Sequence, residues 1–412
     1  MASTRLGYMG VKREGVSTPG TAVIPTHFIR YKEGDISYNQ EIIANNPIQN
    51  NRWNPISAVP GKIDTNGTYT FDLDAREAVH WLSLALGTLV SADVSSATDA
   101  SVYSHTMTVA NSLPTLTVEQ GKGNLTDTTN NRQNYSVERS YGVYANKFTI
   151  SGSDGIIDLS VDVIALGQLQ TAFMATDEAA AQTDLSLKSI EGFVATDVVT
   201  LYDDTPQSET STISAVTPAS KEITVGAISN SYTVANNAKV ELQPLSPSYA
   251  DDPKEYSFVH ATFLSGATLA AATTEKNVEN WEFSYENNLE ERYGSLRSSP
   301  SVIAPKGAMA TFKFTRYFEN VEDRDNYLLQ EKSAGKLTLD LQEIVSSTDT
   351  NNQTYQIVIE MNNLRFTTYE MPTGTDELYA VEVEATCFYD SGDGQAVRIV
   401  AYNDKIGTTY TA

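Results

Sequence analysis

Short runs in which apolar and polar residues alternate recur along the chain. They include VYANKFTISG at 143–152, GIIDLSVDVIALG at 155–167, NWEFSYEN at 280–287, GAMATFKFT at 307–315, YQIVIEM at 355–361, NLRFTTYEM at 363–371 and ELYAVEVEATCFY at 377–389. A period of two places successive side chains on opposite faces of a strand, so these runs predict half-buried β-strands. Helical spacing is scarce. In DAREAVHWLSLALG, residues Ala78, Trp81, Leu82 and Ala85 share one helical face, Asp74 can cap it and Gly87 can end it. A second helix is predicted in VEDRDNYLLQ, and the fold class is mainly β.

The order of these elements repeats. From Asp35 the chain runs DISYNQ, an Asn-rich stretch with prolines, a turn at Pro60 and Gly61, the strand GTYTFDLD and then a helix. From Trp281 it runs WEFSYENN, a Ser/Arg-rich stretch, a turn at Pro305 to Gly307, the strand GAMATFKFT and then VEDRDNYLLQ. The segments ANKFTISGSDGIIDLSVDVIALG and NNLRFTTYEMPTGTDELYAVEVEATCFYD close the two halves in the same way. This predicts two copies of one domain, at 1–180 and 255–412, with two unrelated β-domains as the alternative. Asn66-Gly67-Thr68 reads as a turn. Between the halves, 185–250 holds short strands punctuated by Asp, Gly, Pro and Asn, which predicts a small β-barrel or sandwich inserted on the outside. The flanking ATDEAAAQTD and SPSYADDPKE read as linkers.

Charge and chemistry narrow the function. The chain has 52 acidic and 28 basic residues among 412, a formal charge of −24, which disfavours gripping nucleic acid through phosphate neutralisation. Such a charge keeps a protein dispersed. The four histidines, His27, His80, His105 and His260, show no metal or triad spacing, so packing or surface roles are expected. Acidic pairs such as Asp72 with Asp74 lack a calcium-loop pattern. SGSDG at 151–155 joins two strands and reads as a hairpin turn. The single Cys387 sits in a strand-like run, where a buried thiol is expected. No metal, cofactor or catalytic residue is expected, and the protein is not read as an enzyme. The start, MASTRLGYMGVKREGV, has no apolar core of a signal, and no run is long enough for a membrane helix, so a soluble protein with no membrane partner is expected.

The opening GVKREGVSTPGTAVIPTHFIRYKEGDISY, the helix residues Trp81, Leu82, Leu84 and Gly87, and SLPTLTVEQG followed by YGVYANKFTISGSDGIIDLSVDVIALG resemble the tail tube proteins of long-tailed phages. The resemblance covers both outer segments and leaves out 185–250. It implies a structural virion protein in which each tube domain, a β-sandwich with one helix, gives long hairpins to a β-barrel inner wall. Stacked rings form the conduit for genome delivery, assembled in the host cytoplasm. Six domains close a ring, so a duplicated chain implies a homotrimer, or a homohexamer if the duplication is wrong. Implied partners are a tail-tip or baseplate initiator, the tape measure protein and the tail terminator, with viral DNA passing through without specific binding. By strand parity Asp158, Ser160, Asp162, Glu382 and Glu384 are expected to face the lumen, the alternative being an ordinary wet sheet face. Asn45, Asn46, Asn50 and Trp53, with Arg292 and Arg297, are expected in loops that reach the next ring. A competing reading is a β-rich adhesin or carbohydrate-binding tail protein using Trp53, Trp81 and Trp281 as sugar platforms.

Overall fold

The computed structural model describes residues 7–45, 57–95, 102–123, 135–205, 207–249, 252–295, 297–319, 321–347, 351–371 and 380–411. The first segment contains β1 (Tyr8–Arg13), β2 (His27–Ile29), β3 (Glu33–Asn45), β4 (Ser57–Asp72), α1 (Ala78–Leu86), β5 (Val90–Asp93), β6 (Tyr103–Thr108), β7 (Leu116–Gly123), β8 (Tyr135–Gly152), β9 (Asp158–Ile164) and β10 (Gly167–Leu169). The middle segment carries β11 (Thr171–Phe173), β12 (Asp184–Ser186), β13 (Val198–Tyr202), β14 (Ser208–Thr212), β15 (Ala215–Thr217), β16 (Glu222–Thr224) and β17 (Lys239–Leu242). The last comprises β18 (Ala261–Gly266), β19 (Thr274–Lys276), β20 (Asn280–Glu286), β21 (Leu289–Arg292), β22 (Val302–Pro305), β23 (Met309–Tyr317), α2 (Glu322–Leu329), β24 (Ser333–Ile344), β25 (Thr354–Glu370), β26 (Ala380–Cys387), β27 (Val397–Asn403) and α3 (Thr408–Thr411).

Strands of the first and last segments pair in the order β3-β4-β9-β8-β20-β23-β26-β25, all antiparallel, to make one main sheet. The alternation in sequence decides its two faces. Tyr69, Phe71, Leu159, Val161, Phe148, Ile150, Phe283, Phe312, Phe314, Val381 and Val383 point to one side and join a single core that runs under both segments. The two segments meet at β8·β20. There Phe148 lies opposite Tyr285 with ring centroids 5.5 Å apart, and Ile150 lies opposite Phe283. Each of these buried side chains contributes roughly 1.5–3 kcal/mol, so this joint is part of the core and no hinge.

Behind the main sheet lie two outer sheets. In the first, β2-β1-β7-β8 pair in that order and β10 covers the far side of β8. In the second, β19-β18-β24-β25 pair in that order, β27 covers β25, and β6 and β5 continue beyond β27. The long strands β8 and β25 belong to both layers, starting in an outer sheet and ending in the main sheet. Each crosses through two β-bulges. Register shifts fall between Leu116 and Val118 and between Ala145 and Lys147 for β8, and between Ser333 and Gly335 and between Phe366 and Thr368 for β25.

The middle segment folds on itself as two small sheets, β11-β17-β13-β14 and β12-β16-β15, around Leu185, Val199, Leu201, Ile213, Ile223 and Val240. Val137 of β8 and Leu169 of β10 enter the same core. The stretch 175–184, read as a linker, is bound into this unit: Ala175 N donates to Ser186 O at 2.8 Å and Glu178 N to Tyr232 O at 2.8 Å.

Local readings from the sequence meet three corrections. Pro60 and Gly61 form no turn but lie within β4, at the register shift opposite Gln40 and Ile42. β9 pairs only with Asn66–Asp72, so the missing N–H of Pro60 faces an unpaired edge. Gly67 also lies inside β4, where a Cβ would stand 1.8 Å from Asp35 O, so glycine serves the close approach of β3. Helix α1 is buried on every side, not along one stripe, with Trp81 packed on Tyr69 and Phe71 at ring separations of 5.8 and 5.3 Å. Asp74 caps the turn that leads into it, accepting from Arg76 N at 2.7 Å and Glu77 N at 3.1 Å. Helix α2 spans Glu322–Leu329 and is polar, anchored by the buried pair Arg316 and Asp323.

Candidate functional site: a polar sheet face with two open edges

The face of the main sheet opposite the core is built from the polar half of each alternating strand. Its central row reads Thr70, Ser160, Thr149, Ser284, Thr311 and Thr386 across neighbouring strands. Hydroxyls are bonded within the face, Thr149 Oγ1 to Ser284 Oγ at 3.4 Å and Thr68 Oγ1 to Asp162 Oδ1 at 2.7 Å. Rows on either side are acidic, with Glu33, Asp35, Asp72, Asp158, Asp162, Glu282, Glu286, Glu370, Glu382 and Glu384. Lys32, Lys147, Lys313 and Arg365 are the basic residues there, so carboxylates predominate. Lys32 Nζ bridges Asp158 and Asp72 at 2.6 and 2.7 Å, and these bonds hold its ammonium above the usual lysine range. Lys313 Nζ lies 3.5 Å from Glu384.

Of the residues expected to face a lumen, Asp158, Ser160 and Asp162 on β9 and Glu382 and Glu384 on β26 share this polar face. None points into the core. Of the residues expected in reaching loops, Asn45 is the exposed last residue of β3, and Arg292 is the exposed last residue of β21. The Ile42–Asn45 stretch therefore continues a strand and is not loop. Arg297 lies between β21 and β22, a hairpin that leans on the base of the β3·β4 ribbon through Ile63 N to Ser298 O at 2.9 Å. Asn46, Asn50 and Trp53 lie outside the described residues. Trp81 and Trp281 are buried, which removes both as sugar platforms.

The sheet ends in two unpaired borders among the described residues, the outer side of β3 and the outer side of β25 after Arg365. Along β3, Tyr38 and Ile42 are exposed, as is Met371 just after β25. Unsatisfied strand edges with apolar side chains are templates for another chain.

A buried ionic cluster that the sequence did not signal fixes the middle segment to this body. Arg139 of β8 donates from Nε to Glu119 Oε2 at 2.8 Å, from Nη1 and Nη2 to the Asp197 carboxylate at 2.7 and 2.9 Å, and from Nη1 to Gly192 O at 3.1 Å. Tyr8 donates its hydroxyl to Glu119 and accepts from Leu245 N at 2.9 Å. Burial pushes the Glu119 carboxyl upward, opposed by Arg139 and Tyr8. Burial pushes the Cys387 thiol up to about 12, far from a nucleophile's range. His80 is buried against Tyr410 and His27. Among the described residues no three His, Cys, Asp or Glu side chains gather as a metal site, and no helix is long and apolar enough to cross a membrane.

The described residues thus form a layered β-body with an acidic, hydroxyl-rich face and two open strand borders, the features of a structural subunit. Residues 4–250 match the phage tail tube protein family, and since that is more than half of the chain, the protein belongs to this family. No curated protein matches the sequence. It is thus a non-enzymatic component of the virion tail that polymerises with itself into the tail tube.

Proposed function

We propose that the chain carries two tube domains in tandem, 1–180 and 255–412, with 185–250 as an outer decoration, so that three copies close a pseudo-sixfold ring around a lumen lined by the polar face of the main sheet. The observation that carries this reading is the repeated path of the chain. β1, β2, β3, β4, α1, β7, β8, β9 and β10 are followed in the same order, with the same pairings, by β18, β19, β20, β23, α2, β24, β25, β26 and β27. Even the bulges agree. Leu116 lies opposite Val143 and Ser333 opposite Leu364, and in both copies the next shift begins two residues further along the long strand, after Ala145 and after Phe366.

The lining would suit a passage better than a grip. Carboxylates repel phosphate over a Debye length of roughly 8–10 Å at physiological salt, and DNA finds few cations to neutralise it. The β3·β4 ribbon ending at Asn45 and the β21·β22 hairpin with Arg292 and Arg297 are placed as contacts to the next ring. The tail-tip initiator, tape measure protein and terminator are proposed as the tube's partners. Native mass measurement of the smallest ring tests the stoichiometry: three chains are expected, and six would overturn the tandem reading. Tubes with Asp162→Lys and Glu384→Lys are expected to eject DNA more slowly, and ejection at the parent rate would remove the role given to repulsion.

A further inference from the structure

The joint between the two halves of the main sheet is a template for the joint between chains, resting on the tandem reading above. β8 is the last strand of the first four-strand unit and β20 the first strand of the second. The corresponding strands on the open borders are β25 and β3. Residue equivalence follows from the ladders. The shared bulges set Lys147 against Thr368, the partners Asp162 and Glu384 then correspond, and Thr68, Lys313, Asp35 and Glu282 follow through the next two strands. This puts Ser37 and Tyr38 in the places of Ser284 and Tyr285, an agreement with the repeated Ser-Tyr of DISYNQ and WEFSYENN that the ladders alone produce.

We propose that β3 of one copy pairs antiparallel with β25 of the next in a single register, with Ile36 opposite Met371, Tyr38 opposite Tyr369, Ser37 opposite Glu370 and Asn39 opposite Thr368. Within the chain the same register sets Phe283 opposite Ile150, Tyr285 opposite Phe148, Ser284 opposite Thr149 and Glu286 opposite Lys147. The exposures fit. Tyr285 is 2% exposed in the internal joint, whereas its counterpart Tyr38 is 40% exposed and Met371 42%. The hydrogen-bond phase fits as well. Asn287 N donates to Asn146 O of β8, so Tyr285, two residues away, also turns its backbone toward β8. On β3, Ile36 O accepts from Gln168 Nε2 at 3.0 Å, away from β4, so Ile36 and Tyr38 turn outward in the same phase. That side-chain bond is exchanged for a strand bond when the neighbour arrives.

This phase makes Ser37 and Glu370 a non-hydrogen-bonded pair, with Cα atoms about 4.5 Å apart, within disulfide reach. Tubes of a Ser37→Cys/Glu370→Cys chain, mildly oxidised, are expected to run as linked chains on a non-reducing gel. Mixing singly substituted chains is expected to give linked pairs only. Ser37→Cys/Thr368→Cys, slipped by two residues on the same face, is expected to stay unlinked. Linking of the slipped pair in place of the first overturns the register. Tubes that link in neither overturn the edge pairing while leaving the tube intact. Rings of six unsubstituted chains overturn the tandem reading, and the register with it.

Discussion

Replacing Arg139 by Met tests what anchors the middle segment. The guanidinium touches two carboxylates and a carbonyl, and the side chains of Arg139, Glu119 and Asp197 are 2%, 0% and 2% exposed. Methionine fills much of the same space but leaves Glu119 and Asp197 buried with no cation between them. Breaking a buried pair by removing one partner costs about 3–5 kcal/mol, most of it the desolvation of the orphaned charge. With two carboxylates stranded, the upper part of that range is expected at pH 8. The sign with pH follows: burial already pushes the Glu119 carboxyl upward against Arg139, and losing that cation raises it further, so the folded variant holds a proton that the unfolded chain has released. The deficit therefore shrinks as pH falls, by about 1.4 kcal/mol for each unit of pKa rise. Urea unfolding of parent and variant at pH 5 and pH 8 measures this, and proteolysis of 171–242 reports whether the segment comes loose. A loss under about 1 kcal/mol at pH 8, or an equal loss at both pH values, would refute the assignment of the cluster as an ionic anchor. Arg139→Met with Glu119→Gln and Asp197→Asn removes the charges together and is expected to recover most of the loss.

Two further outcomes follow from packing and titration. Gly67→Ala puts a methyl 1.8 Å from Asp35 O and is expected to cost about 1–3 kcal/mol and speed amide exchange along β3, whereas Gly307→Ala, with nothing within 4 Å, is expected to be neutral. Burial, with His27 and Arg13 nearby, lowers His80 to about 3, while burial beside Asp74 raises Glu77 to about 7. The histidine costs stability as pH falls from 6.5 toward 3, and the glutamate costs stability as pH rises from 4.5 to 7, so the two partly cancel between pH 4.5 and 6.5. Thermal unfolding of His80→Gln should therefore show stability at pH 5 above that at pH 8 by up to about 3 kcal/mol, and a flat profile would contradict the Glu77 shift.

The strands of the main sheet were legible because one face is apolar and the other wet, so β9 and β26 read directly as DLSVDVI and AVEVEATC. The lumen candidates followed from that parity. What period two cannot convey is a strand that changes layers. In β8 the alternation is lost across both bulges, Arg139–Ala145 all being buried before it resumes at Phe148, while the neighbours change from β7 and β10 to β9 and β20. Polar residues on strands also read as exposed, and this hid Glu119 and Arg139, whose partner Asp197 sits in the middle segment 58 residues after Arg139. Pro60 and Gly67 read as turns because local preference ignores an unpaired edge and a crowded crossing.

The long strand β8 also has a mechanical meaning. Its first residues, with Val137, lie in the core of the middle segment, Arg139 is clamped by ion pairs, and its last residues are laced between β9 and β20. Eighteen residues of strand span about 60 Å of covalent backbone. A tug on the middle segment along that axis loads the ladders in shear, where the bonds must fail together, instead of unzipping them singly. Force on the middle segment is thereby carried to the main sheet as tension in one polypeptide strut, and that segment cannot be peeled away without straining the sheet it stands on.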